Sequence, residues 1–146
     1  MRHTLAIVEH GANAAPASGP EICERSNETP SEFAARAVQG IASASEAGGS
    51  LDVMYLTCAT SDDERFLCRS IVAAAAFRAA PHRRVTLTFV ATPTRVERQN
   101  ELFALVDVLQ RELGGGRFDV TLRFVEPAKK GLRKAPVAIP TTAEAT

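Results

Sequence analysis

"LDVMYLTCATSDDERFLCRSIVAAAAFRAAPHRRVTLTFVAT", residues 51–92, decides the fold. It opens on "LDVMYLTCA" (51–59), apolar at nearly consecutive positions, as a strand buried on both faces would be. Ser61-Asp62-Asp63-Glu64 then reads as a helix start. The hydroxyl can accept from a free amide of the first turn, and the glutamate can reach back to the cap. Acidic residues there also suit the positive end of the helix dipole. The body, "ERFLCRSIVAAAAFRAA", is apolar around most of its circumference and stops before Pro81. The stretch closes on "RVTLTFVAT" (84–92), with Val85, Leu87 and Phe89 on one face and Thr86 and Thr88 on the other. Strand, helix and strand in that succession make a parallel crossover unit.

Working outward, the same grammar repeats. "HTLAIVE" (3–9) is a second two-faced apolar run, and "FDVTLRFVE" (118–126) alternates, with Phe118, Val120, Leu122 and Phe124 facing one way. Thr29-Pro30-Ser31-Glu32 opens a helix that buries Phe33, Ala34, Ala37, Val38 and Ile41 and ends near Gly48-Gly49. Thr94-Arg95-Val96-Glu97 opens another, with a stripe of Leu102, Leu105, Val106, Leu109 and Leu113 before Gly114-Gly115-Gly116. That glycine run follows a helix rather than a strand, so it reads as a stop and not as a phosphate loop.

The order β-α-β-α-β-α-β predicts an α/β fold: a three-layer, Rossmann-like or flavodoxin-like domain over 1–126. Its sheet is expected to be mostly parallel and four-stranded. With strands numbered along the chain, the expected order is 2-1-3-4, which places 51–59 at the edge and 84–92 beside 3–9. The first helix is then expected on one face and the other two on the opposite face. Strands 3–9 and 51–59 are covered twice, and the outer face of the others shows Thr86, Thr88, Thr121 and Arg123.

A length of 146 residues, 45% hydrophobic and 23% charged, fits one globular domain. No Trp and a single Tyr argue against stacking of single-stranded bases, so sequence-specific nucleic-acid recognition is not expected. The net charge of zero hides an asymmetry. Residues 1–64 hold 3 Arg and 10 Asp/Glu (3 − 10 = −7), and residues 65–146 hold 14 Lys/Arg and 7 Asp/Glu (14 − 7 = +7). Either the two halves interleave on folding, or the surface is dipolar and favours self-association.

Cys23, Cys58 and Cys68 are an odd number with no metal-type spacing, so neither a disulfide framework nor a metal site is expected. The uncharged run Thr4–Val8 is too short for a secretory signal, and no apolar stretch is long enough to span a membrane. A cytoplasmic protein without a membrane partner is the expectation. Residues 127–146, Pro/Ala-rich with Lys129, Lys130, Arg133 and Lys134, read as a flexible basic tail.

In an open α/β sheet, ligands bind beyond the carboxyl ends of the strands, where strand order reverses. The long loop 10–28 lies there. An ordinary connection of this type takes about two to six residues, so its length marks it as a lid or interaction loop. The ligand-binding candidates are His10, Gly11 and Asn13 of that loop, Thr60 after 51–59, and Thr92, Thr94 and Arg95 after 84–92. Hydroxyls, amides and an arginine suit a small anionic or nucleotide-like ligand. His10, next to Glu9, is the candidate general base.

Cys58 sits where phosphatase-type nucleophiles occur, but Arg65 follows one residue too late, through the acidic "ATSDDE". No Walker A, GxGxxG, GxSxG or HExxH motif is present, and no cofactor is expected. The leading expectation is a non-catalytic regulatory or sensor domain that binds a small ligand at the crevice. Its alternatives are a homo-oligomeric assembly module and a small hydrolase or transferase that uses His10.

Overall fold

The computed structural model describes residues 2–12, 20–46, 48–58, 63–92 and 95–125. Their elements are β1 (Arg2–Val8), β2 (Glu21–Cys23), α1 (Pro30–Ser45), β3 (Ser50–Leu56), α2 (Asp63–Ala79), β4 (Val85–Ala91), α3 (Val96–Leu113) and β5 (Phe118–Phe124). A single 3-10 turn, Ala80–His82, follows α2. The sheet is five-stranded, with order β2-β1-β3-β4-β5 and every pair parallel. This is an α/β domain with the flavodoxin-like strand order, as its sequence pattern predicts.

The edge place beside β1 is taken by a strand the hydrophobic pattern does not reveal. Glu21–Cys23 lies inside the loop read as irregular and pairs Ala6 with Glu21, Ile7 with Ile22 and Val8 with Cys23. The segment expected at the edge, 51–59, lies instead on the other side of β1, with Leu5 opposite Val53 and Ile7 opposite Tyr55. Segment 84–92 is therefore separated from β1 by β3.

Right-handed crossover geometry then explains the layers. The steps β2 to β3, β3 to β4 and β4 to β5 all advance in one direction, so α1, α2 and α3 fall on one face. Their inward residues form one core with the odd-numbered positions of β1, β3 and β4 and with Phe118 and Val120. Phe33 of α1 meets Tyr55, which in turn meets Phe89, at ring separations of 6.4 and 5.3 Å. This corrects the expected split of the helices: α1 packs directly against α2.

The step from β1 to β2 runs the other way, and the residue that leads out of β1 toward it turns to the opposite face. There Ala12 packs on a smaller cluster of Ala6, Leu56 and Val90, with Val8, Met54 and Val125 at its border. That cluster is why β1 and β3 read as apolar on both sides. Among the described residues no helix covers it. Farther along the same face, the Thr88 and Thr121 hydroxyls share a 3.0 Å hydrogen bond, and Arg123 is exposed.

The first helix start is as its sequence specifies. The Thr29 hydroxyl accepts from the Glu32 amide at 3.2 Å, and the Glu32 carboxylate accepts from the Thr29 amide at 2.9 Å. α3 starts one residue later than expected: Arg95 is its N-cap and makes no side-chain hydrogen bond to the first turn. Thr94, and the cap positions Ser61 and Asp62 of the second helix, lie outside the described residues, as does the tail 127–146. Among the described residues no helix is long and apolar enough to cross a membrane.

Candidate functional site

In this strand order the switch point lies between β1 and β3, because the chain leaves β1 toward β2 and returns over it to β3. At the carboxyl end of that crevice sits a buried carboxylate. Glu9 directly follows β1 on the face of Leu5 and Ile7, and it is 1% exposed. Its amide bonds the Leu56 carbonyl at 2.9 Å, which fixes the end of β1 against β3.

The Glu9 carboxylate is densely solvated by protein. Oε2 accepts from the Tyr55 hydroxyl at 2.7 Å and from Nε of Arg69 at 3.1 Å. Oε1 accepts from the Thr57 hydroxyl at 2.8 Å, the Cys58 amide at 3.0 Å and Nη2 of Arg69 at 3.2 Å. The Cys58 thiol lies 3.4 Å from the same oxygen. Arg69 reaches this point from the inward face of α2, where it is 4% exposed, and the fork-on-fork geometry is the strong form of the pair.

A second pair stands one helical turn earlier. Arg65 of α2 binds Glu24, which follows β2 and also accepts from the His10 amide at 3.0 Å. A third lies beside it on α1. Arg36 donates to Glu28 through Nε at 2.6 Å and Nη2 at 2.8 Å, and to the Cys23 carbonyl at 2.6 Å. Glu9 and Glu24 come from the acidic half of the chain and Arg65 and Arg69 from the basic half, so here the two halves interleave.

The electrostatics follow from these contacts. Burial by itself would raise the pKa of Glu9, but the Arg69 charge and the hydrogen bonds from Arg69, Tyr55 and Thr57 outweigh it and hold Glu9 below the usual carboxylate value. Burial, with Glu9 and Cys68 as neighbours, pushes the Tyr55 hydroxyl well above its ordinary value. Tyr55 is thus a fixed donor, and its oxygen lies 3.3 Å from the Cys68 sulfur. Burial also raises the Cys68 thiol. An ionised, fully engaged Glu9 is a poor proton acceptor. What the cluster does is lock the ends of β1 and β3 to the start of α2.

These shifts set a pH dependence. The hydrogen bond from Arg36 holds Glu28 at about 2 against an ordinary 4.5, and Glu9 is lowered in the same sense. A carboxylate lowered on folding contributes its stability in full above the unfolded value and loses it as pH falls through the folded one. Urea midpoints should therefore be insensitive to these pairs near neutrality and should fall steadily from about pH 4.5 toward pH 2. A midpoint unchanged between pH 5 and about pH 2.5 would contradict it.

The ligand-binding candidates are only partly brought together. His10 and Gly11 lie at the β1 end of the switch-point crevice, both exposed, and Gly11 adopts a φ of +86°. Thr92 and Arg95 lie at the end of β4, on the far side of β3 from that crevice. Arg95 is exposed and 3.8 Å from Glu97. Asn13, Thr60 and Thr94 lie outside the described residues. His10 and Glu9 part company, since the imidazole is exposed and the carboxylate is buried. Among the described residues no three His, Cys, Asp or Glu side chains come together as a metal site.

Sequence reasoning placed Glu9 but missed its partners Tyr55, Thr57 and Arg69 and the neighbouring Glu24–Arg65 pair. Two signals were available. Glu9 continues the inward alternation of Leu5 and Ile7, and Arg69 falls on the inward helical face of Cys68, Val72 and Ala76. A buried acid and a buried base, each at an apolar position, call for one another. Compared with family models, with curated proteins and with solved structures, the chain finds no match.

Proposed function

We propose that this domain is a non-catalytic assembly module that associates through the outer face of α2. One observation carries the proposal. Phe66, Leu67, Ile71 and Phe77 of that helix are 53%, 57%, 37% and 41% exposed. Single exposed apolar residues are ordinary, but four large ones on one central helix form the kind of patch that marks an interaction site. The opposite face of α2 fills the core with Val72, Ala73 and Ala76; of the four outer residues Phe77 also meets the buried ring of Phe118 edge-on, at 5.8 Å.

The alternative, an anionic ligand at the strand-end crevice, has less support. Its two nearest cations, Arg65 and Arg69, are paired with Glu24 and Glu9, so an incoming anion would have to displace an internal carboxylate. A general base at His10 lacks the orienting contact with Glu9 that the sequence suggested.

Sedimentation equilibrium on the full chain tests the proposal. Association should appear at micromolar concentrations and survive high salt, because apolar burial is not screened. Leu67→Glu should leave a folded monomer, with a loss of affinity of at least about a hundredfold. A wild-type chain that stays monomeric at several hundred micromolar would remove the proposal. A thermal shift with phosphate or a nucleotide, abolished by Arg95→Ala, would favour the crevice instead.

A further inference from the structure

Resting on the assembly reading, we infer that the occupant of the α2 face is α2 of a second copy, packed antiparallel about a two-fold axis at Ile71. The exposed ridge carries Glu64, Leu67, Ile71, Ala74 and Arg78, with Ala74 half-buried. Their spacing alternates between three and four residues, which is the seam of a helix pair. Its middle is apolar and its ends carry opposite charges.

The charges choose the direction. Glu64 and Arg78 lie about two helical turns to either side of Ile71. A parallel pair would set Glu64 against Glu64 and Arg78 against Arg78 of its mate. An antiparallel pair sets each Glu64 against an Arg78, twice, and also opposes the helix dipoles favourably. Asp63, exposed beside Glu64, adds to the acidic end. The arrangement is self-complementary, as a two-fold interface must be.

The shapes agree with the charges. In that register Leu67 lies opposite position 75 of the mate and next to Ala74 on its ridge, so a large side chain meets small ones, and Ile71 meets its own copy across the axis. Phe66 and Phe77 flank the seam on one side. On the other, shallow grooves run between α1 and α2, one bounded by Ala34, Leu67 and Ile71 and the next by Val38, Ala75 and Arg78. The acidic end of the ridge also disfavours an anionic lipid surface as the occupant.

A charge exchange tests this arrangement on the full chain. Glu64→Arg alone and Arg78→Glu alone should each weaken the dimer by about tenfold, since two pairs are lost per interface. The double variant should return to within about threefold of the wild type. In a Cys23→Ser background, Ile71→Cys should cross-link as a covalent dimer under mild oxidation, which requires the two copies of position 71 to meet.

A dimer in which the double variant is no better than the singles, and in which Ile71→Cys fails to cross-link, overturns the antiparallel α2 pair but leaves the assembly reading standing. A monomeric wild type overturns both. If a charge variant fails to fold, as judged by circular dichroism, the Ile71→Cys result decides alone.

Discussion

Arg69→Leu is expected to destabilise the domain by about 3–5 kcal/mol, because it strands a buried carboxylate. The size of the effect comes less from the lost attraction than from what remains. In the wild type Glu9 is 1% exposed, and Arg69 makes the largest contribution against the penalty of burial, ahead of the Tyr55 and Thr57 hydroxyls. Without the guanidinium, that penalty acts alone with the neutral donors Tyr55, Thr57 and the Cys58 amide. The pKa of Glu9 should then rise above its ordinary value, and the sign of its linkage reverses. Stability of the variant should improve on mild acidification, as Glu9 takes up a proton, where the wild type gains nothing. Urea unfolding at pH 7.5 and pH 5 measures both effects. A loss below about 1 kcal/mol, or no pH-dependent recovery, would show that Glu9 is not held by Arg69. Replacing both partners by leucine should recover part of the loss and no more, since Tyr55, Thr57 and the Cys58 amide would lose their acceptor.

Tyr55→Ala should be comparably severe, at about 3–5 kcal/mol, for a different reason. The ring is fully buried and lies between Phe33 and Phe89, so its removal leaves a void between α1 and the sheet. Tyr55→Phe separates ring from hydroxyl. It keeps the packing and removes one donor from Glu9, whose Oε2 still has Nε of Arg69. About 1 kcal/mol is expected from that change. If the phenylalanine variant proved as damaging as the alanine one, the hydroxyl and not the ring would be what holds the strand ends together.

Much of the fold was legible because two periodicities carried it. The alternation of 85–89 and the stripes of Phe33–Ile41 and Leu102–Leu109 bury most of the residues the pattern selects, and 118–124 buries Phe118 and Val120 and half-buries Leu122 and Phe124. What was not legible was which segment borders β1. The three residues Glu21–Cys23 are too few to show a period, and only Ile22 among them is a large apolar side chain. Once that strand is unseen, the first connection looks like a loop followed by a helix. The two-faced apolar character of 51–56 then calls for a second helical layer, where a local cluster of Ala6, Leu56 and Val90 suffices.

The site was harder, because it is assembled from positions that a hydrophobic pattern treats as errors. Glu9, Thr57 and Arg69 are polar residues at inward places, and each makes sense only beside the others. Their sequence separations of 48 and 60 residues carry no local signal. Hydroxyls and glycines at loop ends drew the attention instead, because ligand sites are made of them. Two of the candidates chosen that way, Thr92 and its neighbour Arg95, end up a strand away from the crevice.

The unseen edge strand has a further consequence. Gly40 of α1 lies directly over Ile22, and a methyl group at position 40 would come within 2.2 Å of the Ile22 Cδ1 atom. The helix is notched to admit that side chain, which adds to the backbone pairing in keeping β2 over the carboxyl half of β1. Strand edges invite pairing with foreign strands. The strand at this edge is three residues long, and it is held by its pairing with β1, by Arg36 at the Cys23 carbonyl and by Ile22 in the notch at Gly40. A side chain at position 40 would have to turn the end of Ile22 aside, and would loosen one of the ties that keep this short edge in place.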